Sequence, residues 1–111
     1  QSAPTLDHRE VLVFHLDGAV RSRAWRSEVM AEMKAWARED PESVRAQHFE
    51  EYIGKNSPAD LTMDLRRSVF CTVTPGDNTF RIRFFHAIAA GCIPVVLAFP
   101  PGQRARRRGD P

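Results

Sequence analysis

Apolar residues fall along this chain in short blocks whose period switches between about two and about three and a half. Val11-Leu12-Val13-Phe14 is a run of β-formers, which predicts a buried strand reaching Leu16, and Gly18 ends it. From 23 to 38, Trp25, Val29, Met33 and Trp36 recur at spacings of four and three, which predicts a helix with those four residues facing inward. Asp40-Pro41 stops it, because a residue before proline avoids the helical region. Between 43 and 49, Val44, Ala46 and His48 alternate with polar residues, a weaker pattern that predicts a second strand. Residues 54–57 read as a loop. Ser57-Pro58-Ala59-Asp60 then forms a capping-box pattern with proline at the first helical position, and predicts a helix to about Arg67.

Val69-Phe70-Cys71-Thr72-Val73 predicts the next strand, and Pro75-Gly76-Asp77-Asn78 a turn. A helix is predicted from Thr79 to Ala90, with Phe84, Ile88 and one of Phe85 and Ala87 inward, and Gly91 ending it. Ile93 to Phe99 is the last predicted strand, with Pro94 near its start. Beyond Phe99 the text is Pro, Gly and Arg without periodicity. Strands and helices therefore alternate, with no internal repeat. That order implies an α/β fold, a Rossmann-like parallel sheet with right-handed crossovers and flanking helices.

Size and charge narrow this picture. A chain of 111 residues holds one small domain and buries roughly two-thirds of its unfolded surface. An apolar fraction of 42% with 27% charged residues is that of a globular chain, and no apolar run approaches the ~20 residues of a membrane span. The start, Gln1-Ser2-Ala3-Pro4, is neither a signal peptide nor an initiator methionine, so the sequence reads as an excerpt from something longer. The last eight residues set four arginines (Arg104, Arg106, Arg107, Arg108) against Asp110, a net +3, which leaves −1 of the chain's +2 for everything before them. A nucleic-acid binder needs a basic face on the domain itself, so none is expected; the arginine run reads as a solvated tail. Four histidines and two cysteines without metal-ligand spacing predict no metal site.

One segment combines several features of an anion site. A strand ends at Val73, a turn with Gly76 follows, and a helix begins near Thr79. In open α/β sheets, ligands bind beyond the carboxyl ends of the strands, and a helix N-terminus offers free N–H groups and partial positive charge. Arg81 and Arg83 fall in the first turns of that helix. The pattern fits a diphosphate site; it equally fits a solvated helix start whose arginines pair with surface acids.

Three blocks carry a resemblance to a known family. They are Ser68-Val69-Phe70-Cys71-Thr72-Val73-Thr74-Pro75-Gly76-Asp77, then Arg83-Phe84-Phe85-His86-Ala87-Ile88, then Gly91-Cys92-Ile93-Pro94-Val95-Val96. Together they resemble the signature of the exostosin family, glycosyltransferase family 47, over about thirty residues. Arg9 to Phe14 with Gly18, Arg26 at a helix start, and 60–68 match more loosely, so the resemblance covers 9–99, leaving 100–111 as a Pro/Gly/Arg-rich tail.

The resemblance implies the C-terminal, nucleotide-sugar-binding half of a GT-B glycosyltransferase. Such a protein binds a UDP-sugar donor and transfers the sugar with inversion to a glycan acceptor. It works in the Golgi lumen as part of a type II membrane protein, whose anchor is not in this segment. No cofactor is implied, and the Asp-x-Asp metal motif is absent. Arg26 and Arg83 match the family's arginines near the diphosphate, and Gly76-Asp77 its loop. With Arg81 and His86 these are the expected UDP-sugar-binding residues.

Departures from the family pattern point to an incomplete enzyme. His86 stands where the family has a carboxylate for the ribose hydroxyls, Phe80 and Arg81 replace small residues, and Pro100-Pro101-Gly102-Gln103 replaces an acidic segment. The N-terminal domain is missing and no general base is identifiable. The alternative is a non-catalytic remnant or partner subunit that keeps the fold. Finally, Cys71 lies in one strand and Cys92 just before the next, and neighbouring strands stand ~4.8 Å apart. In an oxidising lumen the two would bridge; otherwise they are two buried thiols.

Overall fold

A computed structural model of the chain describes residues 8–18, 24–74 and 80–97. Eight elements follow one another: β1 (Val11–Asp17), α1 (Ala24–Glu39), β2 (Val44–His48), α2 (Phe49–Lys55), α3 (Pro58–Arg66), β3 (Ser68–Val73), α4 (Phe80–Ala89) and β4 (Ile93–Val96). The strands form one parallel sheet in the order β2-β1-β3-β4. Val13 stands opposite Val44 on one side and Phe70 on the other, and Cys71 stands opposite Pro94. Pro94 lies on the edge strand β4, where a missing N–H is tolerated.

Alternation along the central strand β1 divides the sheet's two faces. Phe14 and Leu16 point into a core shared with Tyr52 of α2, Leu65 of α3, Cys71, Ala87 and Ala90 next to Cys92. Phe14 and Tyr52 meet edge to face at 6.0 Å. His15 and Asp17 point to the other face, where α1 lies and contributes buried Trp25 and Met30. A strand buried on both faces reads as a continuous apolar run, which is what Val11 to Phe14 is.

The element boundaries have local causes. Ser57 Oγ accepts from the Asp60 N–H at 3.2 Å and Asp60 Oδ2 accepts from the Ser57 N–H at 2.8 Å, closing the predicted capping box with Pro58 in the first turn of α3. Gly91 takes φ 76°, a conformation costly for other residues, and turns the chain out of α4. Arg9 then ties three segments together. Its guanidinium donates to the carbonyls of Leu65 (3.2 Å), Ser68 (2.9 Å) and Ala90 (3.0 Å). Two of these are carbonyls at the ends of α3 and α4, groups that lack intrahelical partners. Cys71 and Cys92 are joined by a disulfide with a Cα separation of 5.9 Å.

Three expectations need correction. The inward face of α1 centres on Trp25, Arg26 and Met30, with Val29 and Met33 half-buried; Trp36 is 40% exposed. The ion pair of Arg26 with Asp17 turns the helix so that an arginine, not the second tryptophan, faces the sheet. In α4 the buried row is Ala87 and Ala90, with Phe84 half-buried; Phe85 (60%) and Ile88 (51%) are exposed, as is Ile82. Small alanines let the helix settle close over the disulfide, and the larger side chains point outward. Between β2 and α3 the chain forms an unanticipated short helix, α2, whose Tyr52 hydroxyl donates to Asp64 of α3. The predicted turn at 75–78, the helix start at Thr79, the end of the last strand at Ala98-Phe99 and the tail lie outside the described residues. Among the described residues, no helix is long and apolar enough to cross a membrane.

Candidate functional site

In the strand order, β1 hands the chain to α1 on one face, and β3 hands it to α4 on the other. The carboxyl ends of β1 and β3 therefore flank a topological switch point, the place where open α/β sheets bind ligands. Four elements place polar side chains at this end.

The last residue of β1, Asp17, is almost wholly buried. Its Oδ1 accepts from the Gly18 N–H at 2.9 Å, and its carboxylate is gripped by Arg26 from α1. Arg26 Nε donates to Asp17 Oδ2 at 3.1 Å and Nη2 donates to Oδ1. Only 8% of Arg26 is exposed, so burial and pairing come together, as a buried guanidinium requires. On the opposite face, Arg83 of α4 donates through Nη1 to the Leu16 carbonyl at 3.0 Å and lies 4.6 Å from the centre of the Phe49 ring. The Phe49 π-face and the open carbonyl at the strand end hold that guanidinium in place. Next to Phe49, Glu50 extends its carboxylate over the turn out of β1: a Cβ built on Gly18 would stand 3.5 Å from Glu50 Oε2.

Beneath this rim, His15 Nδ1 and Thr72 Oγ1 lie 2.7 Å apart and bridge β1 to β3. His15 is fully buried, and burial pushes its pKa down to about 4. Asp17 opposes the shift, while His48, Arg26 and Arg83 add to it. The imidazole is therefore neutral at physiological pH. Among the described residues His15 Nε2, His48 Nδ1 and Thr74 Oγ1 are buried without a hydrogen-bond partner. Thr74 is the last described residue before the loop that leads to α4.

The structure thus brings Arg26 and Arg83 to the carboxyl end of one strand, one on each face. Arg81 lies in the first turn of α4; Gly76 and Asp77 lie outside the described residues. His86 is exposed, one turn further along α4, and lines a cleft with Leu61 and Leu65 of α3 and Phe49. That cleft, about 150 Å³ and mostly apolar, is small for a nucleotide, since ligand pockets run to ~300–1,000 Å³. Sequence reasoning missed Asp17, Glu50 and the His15–Thr72 bridge. An acid as the last residue of a buried strand, immediately before Gly18, was the available signal for Asp17.

Chemically, the site offers two fixed guanidinium groups at the strand ends, a helix start over the switch point, and a carboxylate at the rim. Comparison with known proteins bears on its use. A family model described as the exostosin GT47 domain matches residues 2–105. A probable xyloglucan galactosyltransferase, GT14, from Arabidopsis thaliana is 45% identical over 47 residues, which is 42% of this chain. The matched stretch spans 9% of the length of that relative. There is no significant match among solved structures.

Proposed function

Because the chain belongs to the exostosin GT47 family, we propose that it is the nucleotide-sugar-binding part of an inverting glycosyltransferase whose donor is a UDP-sugar. The observation that carries this reading is the anchoring of Arg83. It is the arginine of the block Arg83-Phe84-Phe85-His86-Ala87, and it is bonded to the Leu16 carbonyl at the switch point of the sheet. The diphosphate occupies the crevice between the ends of β1 and β3, covered by the turn at 74–79 that holds Gly76 and Asp77. The start of α4 supplies N–H groups and partial positive charge, and Arg81 and Arg83 add theirs.

Transfer breaks the bond between the anomeric carbon and the diphosphate oxygen, and charge grows on the departing UDP. Fixed cationic groups aimed at that charge stabilise the transition state more than the ground state. Arg83 is placed for this role. Arg26 contributes differently: Asp17 occupies its Nε and Nη2, so the pair stiffens the turn out of β1 on which the crevice is built. The acceptor glycan and a general base come from elsewhere, in keeping with a missing N-terminal domain. The Cys71–Cys92 disulfide suits the oxidising lumen of the Golgi.

A second reading, a non-catalytic remnant or partner subunit, is favoured by the same engagement of Arg26 and by His86. Calorimetric titration of UDP into the chain separates the two. The enzyme reading expects binding that Arg83→Ala weakens roughly ten- to a hundred-fold, the range for a lost charged hydrogen bond. No UDP binding, or binding indifferent to Arg83→Ala, establishes the remnant reading.

A further inference from the structure

The diphosphate reading leaves one group at the crevice unused. Glu50 follows β2 by two residues and overhangs Gly18, where the chain leaves β1. The strands run side by side there, with Asp17 opposite His48. The carboxylate thus stands at the carboxyl end of β1 and β2, one strand over from the β1–β3 crevice. Its neighbour Phe49 carries the guanidinium of Arg83. Consecutive residues of α2 therefore serve the two ends of one site: one holds the cation, the other presents an anion.

This is the placement that binds a ribose in a nucleotide-binding β-α-β unit. The phosphates sit against the turn after the first strand, and a carboxylate beyond the second strand accepts the sugar hydroxyls. An ionised carboxylate is an acceptor with about four lone-pair sites, so it can take two hydroxyls while keeping another contact. Glu50 is exposed, as a residue met by an incoming ligand must be. His86, by contrast, lines the cleft between α3 and the later turns of α4, with Pro58, Leu61 and Ala90.

We infer that Glu50 is a specificity-determining residue that accepts the ribose hydroxyls of a nucleoside diphosphate, so that the site selects ribonucleotides over 2′-deoxyribonucleotides. The inference rests on the proposed diphosphate site. It is tested by titrating UDP and 2′-deoxy-UDP into the 111-residue chain and its Glu50→Gln, Arg83→Ala and His86→Glu variants. The unaltered chain should favour UDP by about ten-fold or more, the scale of one hydrogen bond to a charged acceptor. Glu50→Gln should weaken UDP and largely erase the preference, with 2′-deoxy-UDP little affected. Arg83→Ala should weaken both nucleotides and keep their ratio, and His86→Glu should leave the ratio unchanged. If Arg83→Ala weakens both but Glu50→Gln keeps the ratio, or if His86→Glu changes it, Glu50 is not the ribose residue and the diphosphate site stands. If neither nucleotide binds, or Arg83→Ala has no effect, both readings fall.

Discussion

Arg26 reaches back nine residues along the chain to grip Asp17 side-on, Nε to one carboxylate oxygen and Nη2 to the other, with both side chains almost wholly out of water. This pair fixes where the first helix sits on the sheet, and it defines the floor on which a ligand at the crevice would rest.

Removing one partner of such a pair strands the other as a buried charge. Asp17→Ala or Arg26→Ala should each lower stability by about 3–5 kcal/mol. Replacing both with apolar residues of similar size, Asp17→Leu with Arg26→Met, should recover most of the loss. Urea denaturation of the three variants gives the comparison. Equal losses in single and double variants would show that the pair's packing, not its charge, is what matters.

His15 makes stability depend on pH in a defined window. Its folded pKa, about 4, lies below the ordinary 6.5, so between those values the unfolded chain binds a proton that the folded chain refuses. Stability therefore falls as pH falls through that window and is regained above 6.5. The loss from this group between pH 7 and pH 5 is about 2 kcal/mol. His15→Asn should be less stable at pH 7 and should show that much less fall by pH 5, read from urea midpoints at both pH values.

The disulfide closes a loop of 21 residues' separation between β3 and the start of β4. Chain-entropy reasoning gives it about 3 kcal/mol of stability. Both cysteines are buried. The Cys71→Ser/Cys92→Ser chain should therefore melt at lower temperature, and the unaltered chain should react with dithiothreitol only as fast as it opens. Rapid reduction under native conditions would contradict this.

Arg9 is expected to resist conservative replacement. Arg9→Lys keeps the charge but loses the planar fork that spans three carbonyls on different segments. Leaving those acceptors unmet should cost about 3 kcal/mol. Amide exchange at Leu65 to Ser68 and at Ala90 should speed up more than in the core of the sheet. A uniform change would point to a global effect instead.

Features with strong local causes were legible in the sequence. The Ser57–Asp60 capping box, Gly91 and the β-former runs each act within a few residues, and each appears where the pattern placed it. The faces of the helices were harder to read. Periodicity locates an apolar stripe but not the partner it meets: in α1 an ion pair nine residues away pulled Arg26 inward, and in α4 alanines beat phenylalanine because the disulfide leaves little room. The site was half legible for the same reason. Arg83 belongs to a contiguous block, whereas Asp17 and Glu50 meet at Gly18 only after β2 has docked beside β1.

The reach of Arg9 also sets an order of events during synthesis. β1 is the first strand to be made, yet it lies inside the sheet, and the carbonyls its neighbouring arginine holds extend to Ala90. A nascent chain must carry the sticky Val11-Leu12-Val13-Phe14 stretch unprotected while some eighty further residues are added. Long-range pairing of this kind folds slowly and leaves apolar surface open to capture, so the strand at the centre of the finished domain is the one most in need of chaperoning while it is made.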